Sequence, residues 1–166
     1  MPILSRNKIS SLTFFWIVLT VFFLCGAGKT MAQNYSLPAG IGSDPFSDCS
    51  GSGPDYTCDS EVKFTKAAII TLTENIKITI TNGGFVAEKR FEIVSNGFTM
   101  DLFVKNGNVL FKKKTSYYGS IHSENGNIKA ENGNSNFYGD ISTDNGNVEI
   151  KDNSTVEGSC TPTDSW

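Results

Sequence analysis

The chain has 166 residues, with 14 basic and 17 acidic side chains, a net charge of −3 and a single histidine. A weakly acidic balance of this kind disfavours nucleic acid and anionic lipid as partners. One histidine and no second clustered cysteine pair also argue against a zinc site, and no other metal or cofactor motif is present.

Met1–Ala32 reads as an export signal. Arg6 and Lys8 precede Leu12–Leu24, an unbroken run that is apolar apart from Thr13 and Thr20, and cleavage is expected after Ala32. A membrane span needs ~20 apolar residues, more than this run supplies, so contact with the membrane is expected only through a transient leader. Cys25 follows Phe22-Phe23-Leu24, unlike the small-residue pattern of a lipoprotein site. Export to the periplasm, the cell surface or the medium would remove Arg6, Lys8 and Lys29 and no acidic residue, taking the net charge from −3 to −6.

Residues 33–60 are rich in Gly, Pro and Ser and are expected to wrap rather than form a long strand. Cys49 and Cys58 bracket Ser-Gly-Ser-Gly-Pro-Asp-Tyr-Thr, and an exported chain permits a disulfide between them. Closing that short segment would contribute roughly 2–3 kcal/mol. The segment is expected to cover the first open sheet edge of the domain after it.

Residues 61–161 carry a repeat. Asn106-Gly107-Asn108, Asn125-Gly126-Asn127 and Asn145-Gly146-Asn147 recur at intervals of 19 and 20 residues. Each is followed by a strand-like triplet: Val109-Leu110-Phe111, Ile128-Lys129-Ala130 and Val148-Glu149-Ile150. A second set recurs in phase, running Tyr117–Ile121, Phe137–Ile141 and Val156–Cys160. A period of roughly 20 residues marks a solenoid whose units cannot bury their apolar faces alone. One extra residue falls within Glu131–Asn136, and a turn is where a slip is tolerated. Asn-Gly is also a strong hairpin signal, so an antiparallel meander is the competing architecture. It does not, however, require two apolar sets to recur in phase.

Upstream, Phe98 falls about one period before Tyr117, as Phe91 and Ile93 do before Val109 and Phe111, and Ile78 does before Phe98. The expectation is therefore an all-β parallel β-helix of four to five rungs, a stack roughly 20–25 Å tall at the ~4.8 Å strand spacing. The repeat asparagines are expected to bond from rung to rung. Gly107, Gly126 and Gly146 are expected to supply positive φ at corners. Gly119, Gly139 and Gly158 are expected at a bend or a close approach of backbones.

Residues 162–166 form a short tail. The far end of the stack is expected to be capped by Trp166, to associate end to end with another copy, or to continue into a further domain. Cys160 takes the slot of Ile121 and Ile141, so it is expected to be a small buried side chain, with pairing between chains as the other reading.

No nucleophile elbow, phosphate loop or metalloprotease motif occurs, so no catalytic residue is assigned. His122 is expected to point outward, near Asp140 or Ser142. The outward acids Glu124, Asp140, Asp144, Glu149 and Glu157 include one pair, Asp140 and Glu157, that stacked rungs would bring together. Ser123 and Thr143, with His122, Ser142 and Thr161, would form a small hydroxyl array. Lys112-Lys113-Lys114 reads as a solvated turn, with an anionic glycan or phosphate as its alternative partner. Tyr118 and Tyr138, outward and in register, are the candidate contacts for sugar rings.

The order of leader, Tyr35-Ser36-Leu37-Pro38, the Cys49–Cys58 segment and repeats such as Gly126-Asn127-Ile128 and Tyr138-Gly139-Asp140-Ile141-Ser142-Thr143 resembles the N-terminal region of MSHA pilus biogenesis proteins of the MshQ type. The resemblance covers most of Tyr35–Thr161. It implies an exported bacterial protein tied to a pilus or adhesion system, with cell-surface or pilus proteins as partners. Family members continue into further domains, whereas this sequence reaches only Trp166, and its repeats are richer in charge and Asn. The combined expectation is a non-enzymatic surface module. The alternative is a glycan-binding or glycan-processing β-helix.

Overall fold

The computed structural model describes residues 31–162. The leader, apart from its last two residues, and the Trp166 cap lie outside the described residues.

The fold begins with β1 (Gln33–Leu37) and the antiparallel hairpin β2 (Cys49–Ser52) and β3 (Asp55–Cys58). Strand β3 opens the first of five coils and is followed by β4 (Val62–Phe64) and β5 (Ala68–Leu72). The second coil holds β6 (Ile76–Ile80), β7 (Phe85–Ala87) and β8 (Phe91–Val94). The third holds β9 (Met100–Asn106), β10 (Val109–Phe111) and β11 (Thr115–Tyr118). In the fourth are β12 (Ile121–Asn125), β13 (Ile128–Ala130) and β14 (Asn136–Tyr138). The fifth holds β15 (Ile141–Asn145), β16 (Val148–Ile150) and β17 (Thr155–Val156), and β18 (Cys160–Pro162) starts a further turn.

Each coil contributes one strand to each of three parallel sheets, so the molecule is a three-faced β-solenoid. Face 1 runs β2-β3-β6-β9-β12-β15-β18, face 2 runs β4-β7-β10-β13-β16, and face 3 runs β1-β5-β8-β11-β14-β17. The expected column is present on face 2, where Val62, Phe85, Val109, Ile128 and Val148 lie in register. On face 1, Ile121, Ile141 and Cys160 are likewise aligned. The antiparallel meander is thereby excluded.

Burial alternates along nearly every strand, as a period-2 pattern with one dry side requires. In β6, for example, Ile76, Ile78 and Ile80 point inward while Lys77 and Thr79 do not. An aromatic column fills the axis: Phe46 meets Phe64 at 5.7 Å, Phe64 meets Phe85 at 5.6 Å, Phe85 meets Phe111 at 5.8 Å and Phe111 meets Phe137 at 5.6 Å between centroids. Such pairs contribute about 0.5–1.5 kcal/mol each beyond their buried area.

Three expectations about the repeat need correction. The second apolar set is not one strand. Tyr117 and Tyr118 belong to face 3 and Ile121 to face 1, with Gly119 and Ser120 turning the corner between them. The upstream alignment is also different. Ile78 lies beside Leu102, and Phe91 beside Thr115, so Phe91 and Ile93 are on face 3 rather than below Val109 and Phe111. Phe98 belongs to no strand and is half-buried in the connection from β8 to β9.

One corner accounts for the shift. From face 3 to face 1 the early coils use Thr73–Asn75 and Ser95–Thr99, whereas later coils turn through Gly119-Ser120 and Gly139-Asp140. The interval from Phe85 to Val109 is consequently longer than that from Val109 to Ile128, although both pairs are register neighbours.

The third correction concerns glycine. Gly126 and Gly146 are not among the positive-φ residues, and Gly107, at 159°, is close to extended. What the three share is proximity. A Cβ on Gly107, Gly126 or Gly146 would overlap the carbonyl oxygen of Gly83, Gly107 or Gly126 on the preceding coil. Gly119, Gly139 and Gly158 meet the expectation of close approach, against Met100, Gly119 and Gly139 respectively. The extra residue near Glu131–Asn136 does fall in a turn, where Asn134 takes φ 62°.

The two ends differ. At the N-terminal end Cys49 and Cys58 are disulfide-bonded, and Leu37 and Phe46 are fully buried in the core. Strand β3 lies within the segment expected to be a cap and is itself paired in parallel with β6. At the other end Val148, Ile150 and Val156 are only partly buried. Cys160 keeps its inward register yet is exposed, which corrects the expectation of burial. No coil among the described residues lies over it, so alignment with Ile141 does not confer burial.

Candidate functional site: the outward faces and their ladders

The corners are locked by side chains. Asn145 Nδ2 donates to Asn125 Oδ1 at 3.1 Å, and Asn125 Nδ2 donates to Asn106 Oδ1 at 3.3 Å. Each amide also reaches a backbone carbonyl, that of Glu124 for Asn145 and that of Lys105 for Asn125. Beside them a second ladder runs from the backbone N–H of Asn147 to Asn127 Oδ1 and from that of Asn127 to Asn108 Oδ1, both at 2.8 Å. The Asn-Gly-Asn repeat is therefore two hydrogen-bonded columns flanking a glycine column that permits the spacing. Its role is structural.

Face 1 carries the histidine. His122 stacks on Phe103 with centroids 4.9 Å apart, its Nδ1 lies 2.9 Å from Ser142 Oγ, and its Nε2 lies 3.4 Å from Asp144 Oδ2. Its neighbours are thus Ser142 and Asp144 rather than Asp140. Phe103 carries no motif that singles it out in the sequence, although its alternation within Met100–Val104 places it outward. Ser123 and Thr143 are buried and donate to the Gly107 and Gly126 carbonyls at 3.1 and 2.9 Å, so the outward hydroxyl array does not form.

The acid pair does not form either. Asp140 Oδ1 accepts from the Ser159 N–H at 2.7 Å and from its hydroxyl at 2.8 Å, while Glu157 follows Val156 on face 3, beside the Tyr138 position. The Ser159 N–H, followed by its hydroxyl, holds the Asp140 carboxyl below its ordinary range. Asp140 is a corner ligand for the next coil, like Asp101, which accepts from the Ser120 N–H at 2.8 Å.

On face 2 the outward charges neutralise one another. Glu88 lies 3.3 Å from both Lys63 and Lys112, and Lys129 lies 3.2 Å from Glu149. Hydrogen bonds from Lys63 and then Lys112 lower the Glu88 pKa. The lysine run is split by this pairing: Lys112 is engaged, and Lys113 and Lys114 are exposed.

Face 3 brings together the tyrosines. Tyr118 and Tyr138 are adjacent in register, half-buried, and stacked with centroids 4.3 Å apart and planes 12° apart. Because they stack on each other, much of what they offer a ligand is ring edge and hydroxyl. The Tyr138 hydroxyl ionises above its ordinary range, chiefly through the charge of Tyr118 beside it. On the same side of the sheet, two positions earlier, lies a shallow hollow of about 160 Å³ lined by Arg90, Phe91, Glu92, Lys114, Ser116 and Asn136. Lys114 belongs to the lysine run marked in the sequence; no motif marks Arg90, Glu92, Ser116 or Asn136. The available signal is alternation, since Ser116 and Asn136 each precede a core aromatic by one position.

Among the described residues no group of three or more His, Cys, Asp or Glu could hold a metal ion. Comparison of the chain with family models, curated proteins and solved structures returned no match in any of the three.

Proposed function

We propose that this protein is an exported, non-enzymatic β-solenoid module acting at the cell surface, in a pilus or adhesion system. The observation that carries this reading is the pairing of a self-stacked, ladder-locked scaffold with the Cys49–Cys58 disulfide at one end. Disulfides persist in oxidising compartments. A solenoid stabilised by neighbour-to-neighbour contacts presents long flat faces without needing a cleft. The apolar leader and the MshQ-type resemblance support the same assignment.

Fractionation of cells producing an epitope-tagged chain, followed by protease treatment of intact cells, tests it. The tag is expected outside the cytoplasm and, in surface fractions, accessible to protease. Cytoplasmic retention with reduced Cys49 and Cys58 would overturn the proposal.

A further inference from the structure

The hollow on face 3 is rich in hydrogen-bond donors. Among the described residues Lys114 is exposed and makes no ion pair, and the Ser116 hydroxyl makes no hydrogen bond. Asn136 Oδ1 accepts from the Thr155 hydroxyl at 2.9 Å, which commits its oxygen and leaves the amide N–H groups as donors. Arg90 engages Glu92 through one nitrogen, and a guanidinium carries five N–H donors in all. The opposing charge in the hollow is that one carboxylate, already held.

Position adds a second feature. Ser116 and Asn136 are register neighbours, as are Tyr118 and Tyr138. Residues two apart on a strand share a side of the sheet and lie about 6.6 Å from each other. A cationic, donor-rich hollow and a stacked tyrosine pair therefore adjoin on one face. Those are complementary to a carboxylate and to hydroxyls, which the ring edges and hydroxyls of the tyrosine pair flank.

We propose that face 3 binds an acidic polysaccharide, with Lys114 and Arg90 holding the carboxylate of one uronic acid residue. Ser116 and Asn136 bond its hydroxyls, and the Tyr118–Tyr138 pair meets the adjoining sugar. The inference rests on the reading of the chain as a surface module and names the ligand class of that surface. The chain's net negative charge opposes an anionic ligand only weakly, because charges beyond a Debye length of ~8 Å are largely screened at physiological ionic strength. Lys114 and Arg90 act within that distance; of the nearby carboxylates Glu92 is held by Arg90, and Glu157 lies at the tyrosine end, beside Tyr138.

Titration calorimetry of the protein against polygalacturonate, neutral galactan and polyacrylate tests the proposal. Binding of polygalacturonate alone is expected, weakening as salt is raised. Lys114→Ala with Ser116→Ala is expected to lower affinity at least tenfold, and Tyr118→Ala with Tyr138→Ala to lower it as well. Lys113→Ala, outside the hollow, is expected to leave affinity unchanged. All variants are compared only where their melting curves match the parent.

Absence of binding, equal binding of galactan, or equal binding of polyacrylate would each overturn the proposal, the last by reducing it to ion exchange. So would a loss in Lys113→Ala as large as that in the double variant. Surface location is read by fractionation and protease access, so failure here and failure of the surface assignment are separate results.

Discussion

The Asn145 side-chain amide donates to Asn125 Oδ1 at 3.1 Å, twenty positions back in the chain and one coil away in space. Parallel pairing of β12 with β15 places the two at equivalent positions, so the bond forms without distorting either strand. Stacked identical amides satisfy one another because each carries both donor and acceptor.

Asn125 occupies the middle of that ladder, giving two donations and accepting one. Asn125→Ala is expected to lower stability by about 1–2 kcal/mol, allowing for partial replacement by water at an exposed site. Asn82→Ala, whose only side-chain hydrogen bond among the described residues is a long one to Thr81, is the comparison and is expected to be near neutral. Thermal melts of the two variants measure the difference.

Gly126 and Gly97 separate two reasons for glycine. A Cβ at Gly126 would overlap the Gly107 carbonyl oxygen, whereas Gly97 has open space and φ of 88°. Gly97→Ala is expected to cost about 1–2 kcal/mol of backbone strain. Gly126→Ala must separate two coils and is expected to cost roughly 3 kcal/mol or more. Equal effects in denaturant titration would contradict the close-approach account.

Tyr117 is fully buried and its hydroxyl has no hydrogen-bond partner. Burial, with a smaller contribution from Asp101, pushes its pKa far above the ordinary tyrosine value, so it stays neutral. Tyr117→Phe keeps the ring in the axial column and removes the unpaired group, and is expected to raise stability by about 1 kcal/mol. A fall in the unfolding midpoint would show that the hydroxyl is satisfied in solution.

Asp140 contributes a pH dependence. Folding lowers its pKa below the ordinary 3.8 through the Ser159 donors. Stability from this contact is complete above the unfolded value and is lost as pH falls through the folded one. Melting temperature is expected to drop on acidification below about pH 4. Asp140→Asn is expected to flatten that part of the profile.

The disulfide closes the hairpin whose second strand begins the stack. Cys49→Ser with Cys58→Ser is expected to lower stability by roughly 2–3 kcal/mol. Hydrogen exchange in the variant should rise first in β3 and β6, the strands nearest the hairpin. An unchanged melting temperature would remove the disulfide from any capping role.

The later coils are legible in the sequence because their corners are short and repeated. Asn106, Asn125 and Asn145 mark one corner, and Gly119, Gly139 and Gly158 another, so the period shows directly. The earlier coils are misaligned by the same reading because Ser95–Thr99 takes the place of a tight glycine corner and adds residues that no side-chain pattern counts. Tyr118 and Tyr138 are legible as outward neighbours, yet their stacking on each other is not, since alternation specifies a side of the sheet and not the orientation of a ring.

Sequence alone determined that this chain stacks on itself, because only a repeated inward column at fixed spacing lets each unit bury what it cannot bury alone. It also determined the amide ladders and the cysteine pair, which follow from local spacing. Tertiary structure decided that each coil has three faces, that Ser123 and Thr143 bond the glycine carbonyls of the preceding coil, that His122 meets Asp144, and that a donor-rich hollow adjoins two tyrosines. Those relations join residues of different coils across corners of unequal length, which alternation within one strand does not specify.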